Sequence, residues 1–176
     1  ARRFVASGKT PTEEDFRKRG MTLSPREHEL LQQWLAAGLV TRVVEEVRAA
    51  DGTVKLGIGL PDGKKVETVA MTVGAVCVST QVGCAVGCRF CASGLFGVER
   101  NLTPDEIVEQ VVHARRHHKL DRVVFMGMGE PTHNLDNVLA AVARLRHEVL
   151  ISGKRQTLST VGGVKPIERI SSARRS

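Results

Sequence analysis

Aromatic side chains are scarce: Phe, Trp and Tyr make up 3% of the chain, and tyrosine is absent. A surface that grips nucleic acid mainly by stacking bases needs more rings than that. Long apolar runs are lacking too. None approaches the roughly 18 residues of a membrane span, and no signal peptide opens the chain. The expectation is therefore a cytoplasmic protein with no membrane contact. Cysteine is missing from all but one stretch, since the four cysteines lie within 77–91. Four thiols packed so closely suit disulfides poorly, and reactive thiols fit a reducing compartment.

What is present allows a core. The chain has 176 residues, 41% of them hydrophobic, which suits one domain or one with a small annex. Lys and Arg number 26 against 19 Asp and Glu, a net charge of +7. A basic surface favours a polyanion such as RNA or DNA. A merely soluble basic protein carries such a charge as well.

The stretch 77–91 reads CVSTQVGCAVGCRFC. Cys84, Cys88 and Cys91 follow the spacing C-x3-C-x2-C. A closely spaced run of thiolates is how a chain wraps an iron–sulfur cluster. Gly83 and Gly87 allow sharp turns between ligands, and Phe90 is expected to shield the cluster from water. Three cysteines supply three corners of a four-iron cluster and leave one iron open. The alternatives are a zinc knuckle, a pair of disulfides, or buried free cysteines. Zinc sites usually pair two C-x2-C knuckles or add histidines. Here there is one knuckle, and His113, His117 and His118 fall on a separate predicted helix.

Along the chain, residues 1–23 read as a basic arm. Ser24-Pro25-Arg26-Glu27 is a capping box with proline at the first helical position. The helix it opens carries Leu30, Leu31, Trp34 and Leu35 on one face and stops at Gly38. Strand-like runs follow at 40–48, 53–60 and 65–71, separated by the hairpin signals Asp51-Gly52 and Asp62-Gly63. They predict a small antiparallel sheet ahead of the main domain. Strands at 75–80, 122–126 and 156–160 then alternate with helices. One is opened by the capping box Thr103-Pro104-Asp105-Glu106, one is capped by Asn134, and one starts at Pro166. Strand–helix–strand alternation predicts a parallel sheet, whose ligands sit at the carboxyl ends of strands. The cysteine loop, the Met126-Gly127-Met128-Gly129-Glu130-Pro131 loop and Ser159-Thr160 all fall there. The predicted units are 1–39, 40–72 and 73–176.

An iron left open for the methionine part of S-adenosylmethionine (SAM) is the signature of radical SAM enzymes. Over residues 40–170 the chain resembles one family of them, the dual-specificity adenosine-C2 RNA methyltransferases. These methylate carbon 2 of an adenine in 23S ribosomal RNA and, in one branch, transfer RNA. The resemblance rests on Asp51-Gly52-Thr53, Val66-Glu67-Thr68-Val69, the 77–91 block, Arg100-Asn101-Leu102, the 126–131 loop, Asn134-Leu135 and Leu158-Ser159-Thr160. It implies an α/β fold, the first half of a radical SAM partial (β/α) barrel preceded by a helix and a small antiparallel hairpin region.

The resemblance also implies roles. Cys84, Cys88 and Cys91 would bind a [4Fe–4S] cluster. Gly129 and Glu130 would hold the methionine amino group of SAM, and Ser159 would touch SAM. Glu67 matches the family's proton acceptor; otherwise it is an ordinary strand carboxylate. Cys77 matches the cysteine that attacks a protein–RNA intermediate; otherwise it is a buried strand thiol. A thiolate nucleophile there would need a lowered pKa. The implied partners are RNA and an external electron donor such as flavodoxin.

Two departures stand out. Only a short remnant precedes the hairpins where the family has an N-terminal RNA-binding domain. The second half of the barrel, with its methyl-carrying cysteine, is not in this sequence, and no cysteine follows Cys91. The expectation is a truncated chain whose third parallel strand presents an open edge, covered by a partner chain or by the rest of a longer protein. Three readings result: a radical SAM RNA methyltransferase or a piece of one, a cluster-binding relative without turnover, and a small zinc protein.

Overall fold

The computed structural model describes residues 38–173, with 24–26 and 29. The expected basic arm and the helix face of Leu30, Leu31, Trp34 and Leu35 lie outside the described residues. Pro25 and Arg26 are helical, where the first capping box places a helix start.

Strands β1 (Arg42–Arg48), β2 (Val54–Gly59) and β3 (Lys65–Ala70) form two antiparallel hairpins. Their turns obey the Asp-Gly signals. Asp51 accepts the Thr53 N–H at 2.9 Å, and Asp62 accepts the Lys64 N–H at 3.1 Å, so each aspartate holds its own turn. The hairpins do not stand apart as a small sheet. Strand β3 pairs antiparallel with β4 (Ala75–Cys77) through Val69–Cys77 and Ala70–Val76. Strand β4 pairs in parallel with β7 (Arg122–Phe125), and β7 with β8 (Gln156–Leu158). One six-stranded sheet results, in the order β1-β2-β3-β4-β7-β8. Joining the two parts satisfies a β3 edge that would otherwise stand open.

The parallel strands end earlier than their apolar runs suggest, because the chain leaves the ladder to build loops. Val78 N–H still donates to the Val124 carbonyl at 3.0 Å, but Thr80 N–H turns to Met128 O at 2.8 Å. Between β4 and β7 a two-stranded ribbon forms from β5 (Gln81–Gly83) and β6 (Val98–Asn101).

Helix α1 (Pro104–Ala114) starts on the predicted capping box, with Thr103 and Glu106 bonding reciprocally. Helix α2 (Leu135–His147) does not use Asn134 as predicted. That side chain makes no capping bond and donates to the Thr80 and Leu102 carbonyls, both at 2.8 Å. Helix α3 (Val164–Ala173) begins two residues before Pro166, within a first turn that needs no proline N–H. No residue of α3 is buried.

Helices α1 and α2 cover one face of the sheet. Ile107, Val108 and Val111 of α1 and Val138, Ala141 and Leu145 of α2 pack with Leu56, Ile58, Val66, Val76, Val123 and Phe125 into one core. Burying each large apolar side chain is worth roughly 1.5–3 kcal/mol. His113 is also fully buried there, and burial holds its imidazole neutral with a pKa of about 3.

The other face is open. Val47, Lys55, Val69, Cys77, Val124 and Thr157 are successive cross-strand partners, and partners share a face. None of the six is buried. No helix among the described residues is long and apolar enough to cross a membrane.

Candidate active site

Strands β5 and β6 form the stem of the cysteine loop. Cys84 N–H donates to the Gly97 carbonyl at 2.9 Å and closes the loop at its base. Gly83 permits the closure: its φ is +76°, and a Cβ there would collide with the Gly97 oxygen. Within the loop Cys91 N–H donates to Cys88 O at 3.0 Å, and Gly94 N–H to Cys91 O at 3.2 Å. Phe90, expected as a shield, is 93% exposed, as is Phe96. An aromatic ring in open water shields nothing until another surface meets it.

All four cysteines are free thiols, half-exposed. From Cys84 to Gly97 the loop offers no Asp, Glu or His as a competing ligand. Among the described residues no group of three or more His, Cys, Asp or Glu converges to hold a single metal ion. A cubane does not require that convergence, because each cysteine ligates a different iron. A soft, all-thiol donor set on one loop fits an iron–sulfur cluster.

The loop after β7 packs directly on the segment 79–81. Gly129 has φ +97°, and a Cβ there would lie 2.6 Å from Gln81 Cβ. Glu130 is buried, and its carboxylate is already engaged. Oε1 accepts the Thr132 N–H at 3.0 Å, the Thr132 hydroxyl at 2.6 Å and the Thr160 hydroxyl. Oε2 accepts the Val161 N–H at 3.1 Å. Burial alone would raise its pKa, but the bonds from Thr132 and Thr160 outweigh it and hold the group below the usual range. Glu130 thus ties the loop after β7 to the loop after β8. Ser159 is exposed beside this junction, its N–H donating to Phe125 O at 3.4 Å.

Glu67 and Cys77 both belong to the open sheet face. Glu67 lies two residues along β3 from Val69, the partner of Cys77. Its carboxylate accepts from Lys55 Nζ at 2.9 Å in an exposed pair. Cys77 departs from the lowered pKa expected of a nucleophile. Burial pushes its thiol up, and the Met126 N–H offsets this only in part.

Sequence reading missed the residues that join these parts. Ser79 Oγ donates to the Glu67 carbonyl at 2.6 Å and accepts the Met128 N–H at 2.9 Å. Gln110 of α1, fully buried, accepts from Ser79 N–H at 2.8 Å and from the Thr68 hydroxyl at 2.7 Å. Its Nε2 donates to the Ser79 and Glu106 carbonyls, both at 3.0 Å. The available signal was a glutamine on the apolar face of a predicted helix, where a buried amide needs partners.

The profile of the Radical SAM superfamily matches residues 78–175. A "Probable RNA methyltransferase" of Stutzerimonas stutzeri is 50% identical over 131 residues, 74% of this chain and 38% of that protein. One of Methylibium petroleiphilum is 49% identical over the same length, 37% of its own chain. The present chain thus spans well under half the length of these relatives. Among solved structures, a radical SAM methyltransferase from Sphaerobacter thermophilus superposes with a TM-score of 0.73 at 36% identity. That match covers 96% of this chain and 56% of the other. The chain, with its C-x3-C-x2-C loop following the first parallel strand of a mixed sheet, therefore belongs to the radical SAM superfamily.

Proposed function

We propose that the chain is the cluster- and SAM-binding part of an RNA methyltransferase acting at carbon 2 of adenine in 23S ribosomal RNA and in transfer RNA. The observation that carries this reading is the placement of the three-cysteine loop. It follows β4, whose last residue is Cys77 and whose antiparallel neighbour β3 carries Glu67. The relatives named RNA methyltransferases supply the substrate class.

In this reading Cys84, Cys88 and Cys91 hold a [4Fe–4S] cluster. Glu130 and the backbone around Gly129 receive the SAM ammonium, and Ser159 lines the same end of the sheet. The cluster and SAM, with an electron from a donor such as flavodoxin, supply the radical chemistry. The protein's own work is to bind, orient and move protons. Cys77, protonated at neutral pH, delivers a thiol from the sheet face, and Glu67 is placed on that face to accept a proton. The two are diagonal neighbours across β3 and β4, with Cβ atoms roughly 7 Å apart, so both face the same substrate. The open edge of β8, with the exposed Val164 and Ile167 of α3, is the surface a covering chain would take.

A second reading, binding without turnover, is favoured by one observation. With Cys84, Cys88 and Cys91 given to the cluster and Cys77 to the sheet face, no thiol among these 176 residues remains to carry a methyl group. Radiolabel transfer from methyl-labelled SAM to a ribosomal RNA fragment, with nucleoside analysis, separates the two. A longer polypeptide with a downstream cysteine is expected to form 2-methyladenosine, and these 176 residues alone are not. Product from the short chain would contradict the need for a separate carrier. Absence of product from the longer one would contradict the adenine-C2 reading.

A further inference from the structure

The functional roles above leave Gln81 unused, although it is buried to 2% exposure at the meeting point of the loops. Its Oε1 accepts the Glu130 backbone N–H at 2.8 Å, and its Nε2 donates to Asn101 Oδ1 at 2.7 Å. Asn101 Nδ2 in turn donates to the His133 carbonyl at 3.3 Å. The direction of this relay is forced at both ends. A backbone N–H only donates, so Gln81 must present its oxygen to Glu130 and its amino group to Asn101. A carbonyl only accepts, so Asn101 must present its amino group to His133 and its oxygen to Gln81. Both amide orientations follow from the partners alone.

The relay starts and ends on the loop that follows β7, and its two side chains come from β5 and β6. Those strands are the stem of the cysteine loop. Gln81 N–H and Thr80 N–H also donate to Met128 O, at 3.2 and 2.8 Å. The ribbon that carries the cysteines is therefore the platform on which the Gly129–Glu130 peptide lies. We propose that Gln81, through Asn101, is a positioning residue that sets the Glu130 loop at a fixed place relative to the cysteine loop, so that one SAM molecule meets both. This rests on the reading of the Glu130 loop as a SAM site.

Gln81→Leu removes both bonds at similar volume, Gln81→Glu keeps the acceptor for Glu130 N–H, and Asn101→Ala breaks only the outer half. All three are compared with the wild type after anaerobic reconstitution, by iron content, by calorimetric titration with SAM, and by the electron paramagnetic resonance of the reduced cluster with and without SAM. Iron content is expected to stay at the wild-type level. SAM affinity should fall about tenfold or more in Gln81→Leu, the loss of a buried bond worth about 1.4 kcal/mol or more. Gln81→Glu and Asn101→Ala should fall between that variant and the wild type, and the SAM-induced change in the spectrum should shrink in the same order. Wild-type affinity in Gln81→Leu would overturn the inference. So would loss of iron in the variants, which would make the relay a brace for the cysteine loop alone. If Gln81→Leu does not fold, the other two variants decide. A wild-type protein that takes up iron but binds no SAM would reject the SAM-site reading itself.

Discussion

At the scale of single residues, Cys77 of the open face and Glu130 of the loop after β7 differ in what burial does to them. Cys77 lies partly buried, and desolvation raises its pKa. A raised pKa means that the reactive thiolate is scarce at neutral pH and appears only as pH rises through the raised value. With Cys84, Cys88 and Cys91 replaced by serine, alkylation of Cys77 by iodoacetamide is expected to be slow at pH 7 and still rising above pH 9. A plateau reached by pH 8 would show a thiol without the burial penalty. Glu130 is the other informative residue. In the proposed SAM site, Glu130→Ala removes the carboxylate assigned to the SAM ammonium, a charge-assisted bond of roughly 1.5–3 kcal/mol. Calorimetry on the reconstituted protein should show SAM affinity reduced tenfold or more, and less for Ser159→Ala, whose side chain is exposed. Unchanged affinity in Glu130→Ala would remove Glu130 from the site.

At the scale of elements, the stem of the cysteine loop is fastened to helix α1 by Arg100. Its guanidinium meets Glu106 in a two-pronged pair at 2.8 Å for both bonds, and Nε donates to Asp62 at 2.6 Å. The Arg100 guanidinium holds the Asp62 carboxyl down at about 2, and Glu106 and Asp62 hold Arg100 above its usual range. Glu106 is 3% exposed. Removing its cation leaves a buried carboxylate without its charge partner, so Arg100→Ala should cost about 3 kcal/mol in urea unfolding. Arg100→Lys, which keeps the charge and loses the fork, should cost less; a cost below 0.5 kcal/mol for Arg100→Ala would show that Glu106 is satisfied by its capping bonds. Much of this level was legible in advance. The Asp-Gly turns, the Thr103 capping box and the strand–helix alternation act over a few residues, and local chemistry decides them. What escaped were bonds between residues far apart in the chain. Asn134 fits a cap by position and residue type, yet its amino group goes to the Thr80 and Leu102 carbonyls and its oxygen accepts from Asn137 Nδ2. Gln81 and Ser79 give no periodic signal, because a single buried polar side chain declares itself only through distant partners. The place of Phe90 among the cysteines predicts a shield, yet the ring is exposed, because residue type and spacing do not say which way a loop side chain turns.

At the scale of the molecule, the hairpins and the parallel strands share one sheet, with α1 and α2 on one face, Glu67 and Cys77 on the other, and the cysteine loop and Glu130 in the loops after β4 and β7. This division separates stability from function: the α1–α2 face supplies the core, and the open face and strand ends carry Glu67, Cys77, Glu130 and the cysteine loop. The central claim is that the cysteine loop holds an iron–sulfur cluster. Iron and acid-labile sulfide per chain after anaerobic reconstitution test it most directly, with zinc measured alongside. The account predicts about four irons and four sulfides per chain, lost in Cys84→Ala, Cys88→Ala and Cys91→Ala and kept in Cys77→Ala. Stoichiometric zinc with no uptake of iron would contradict it.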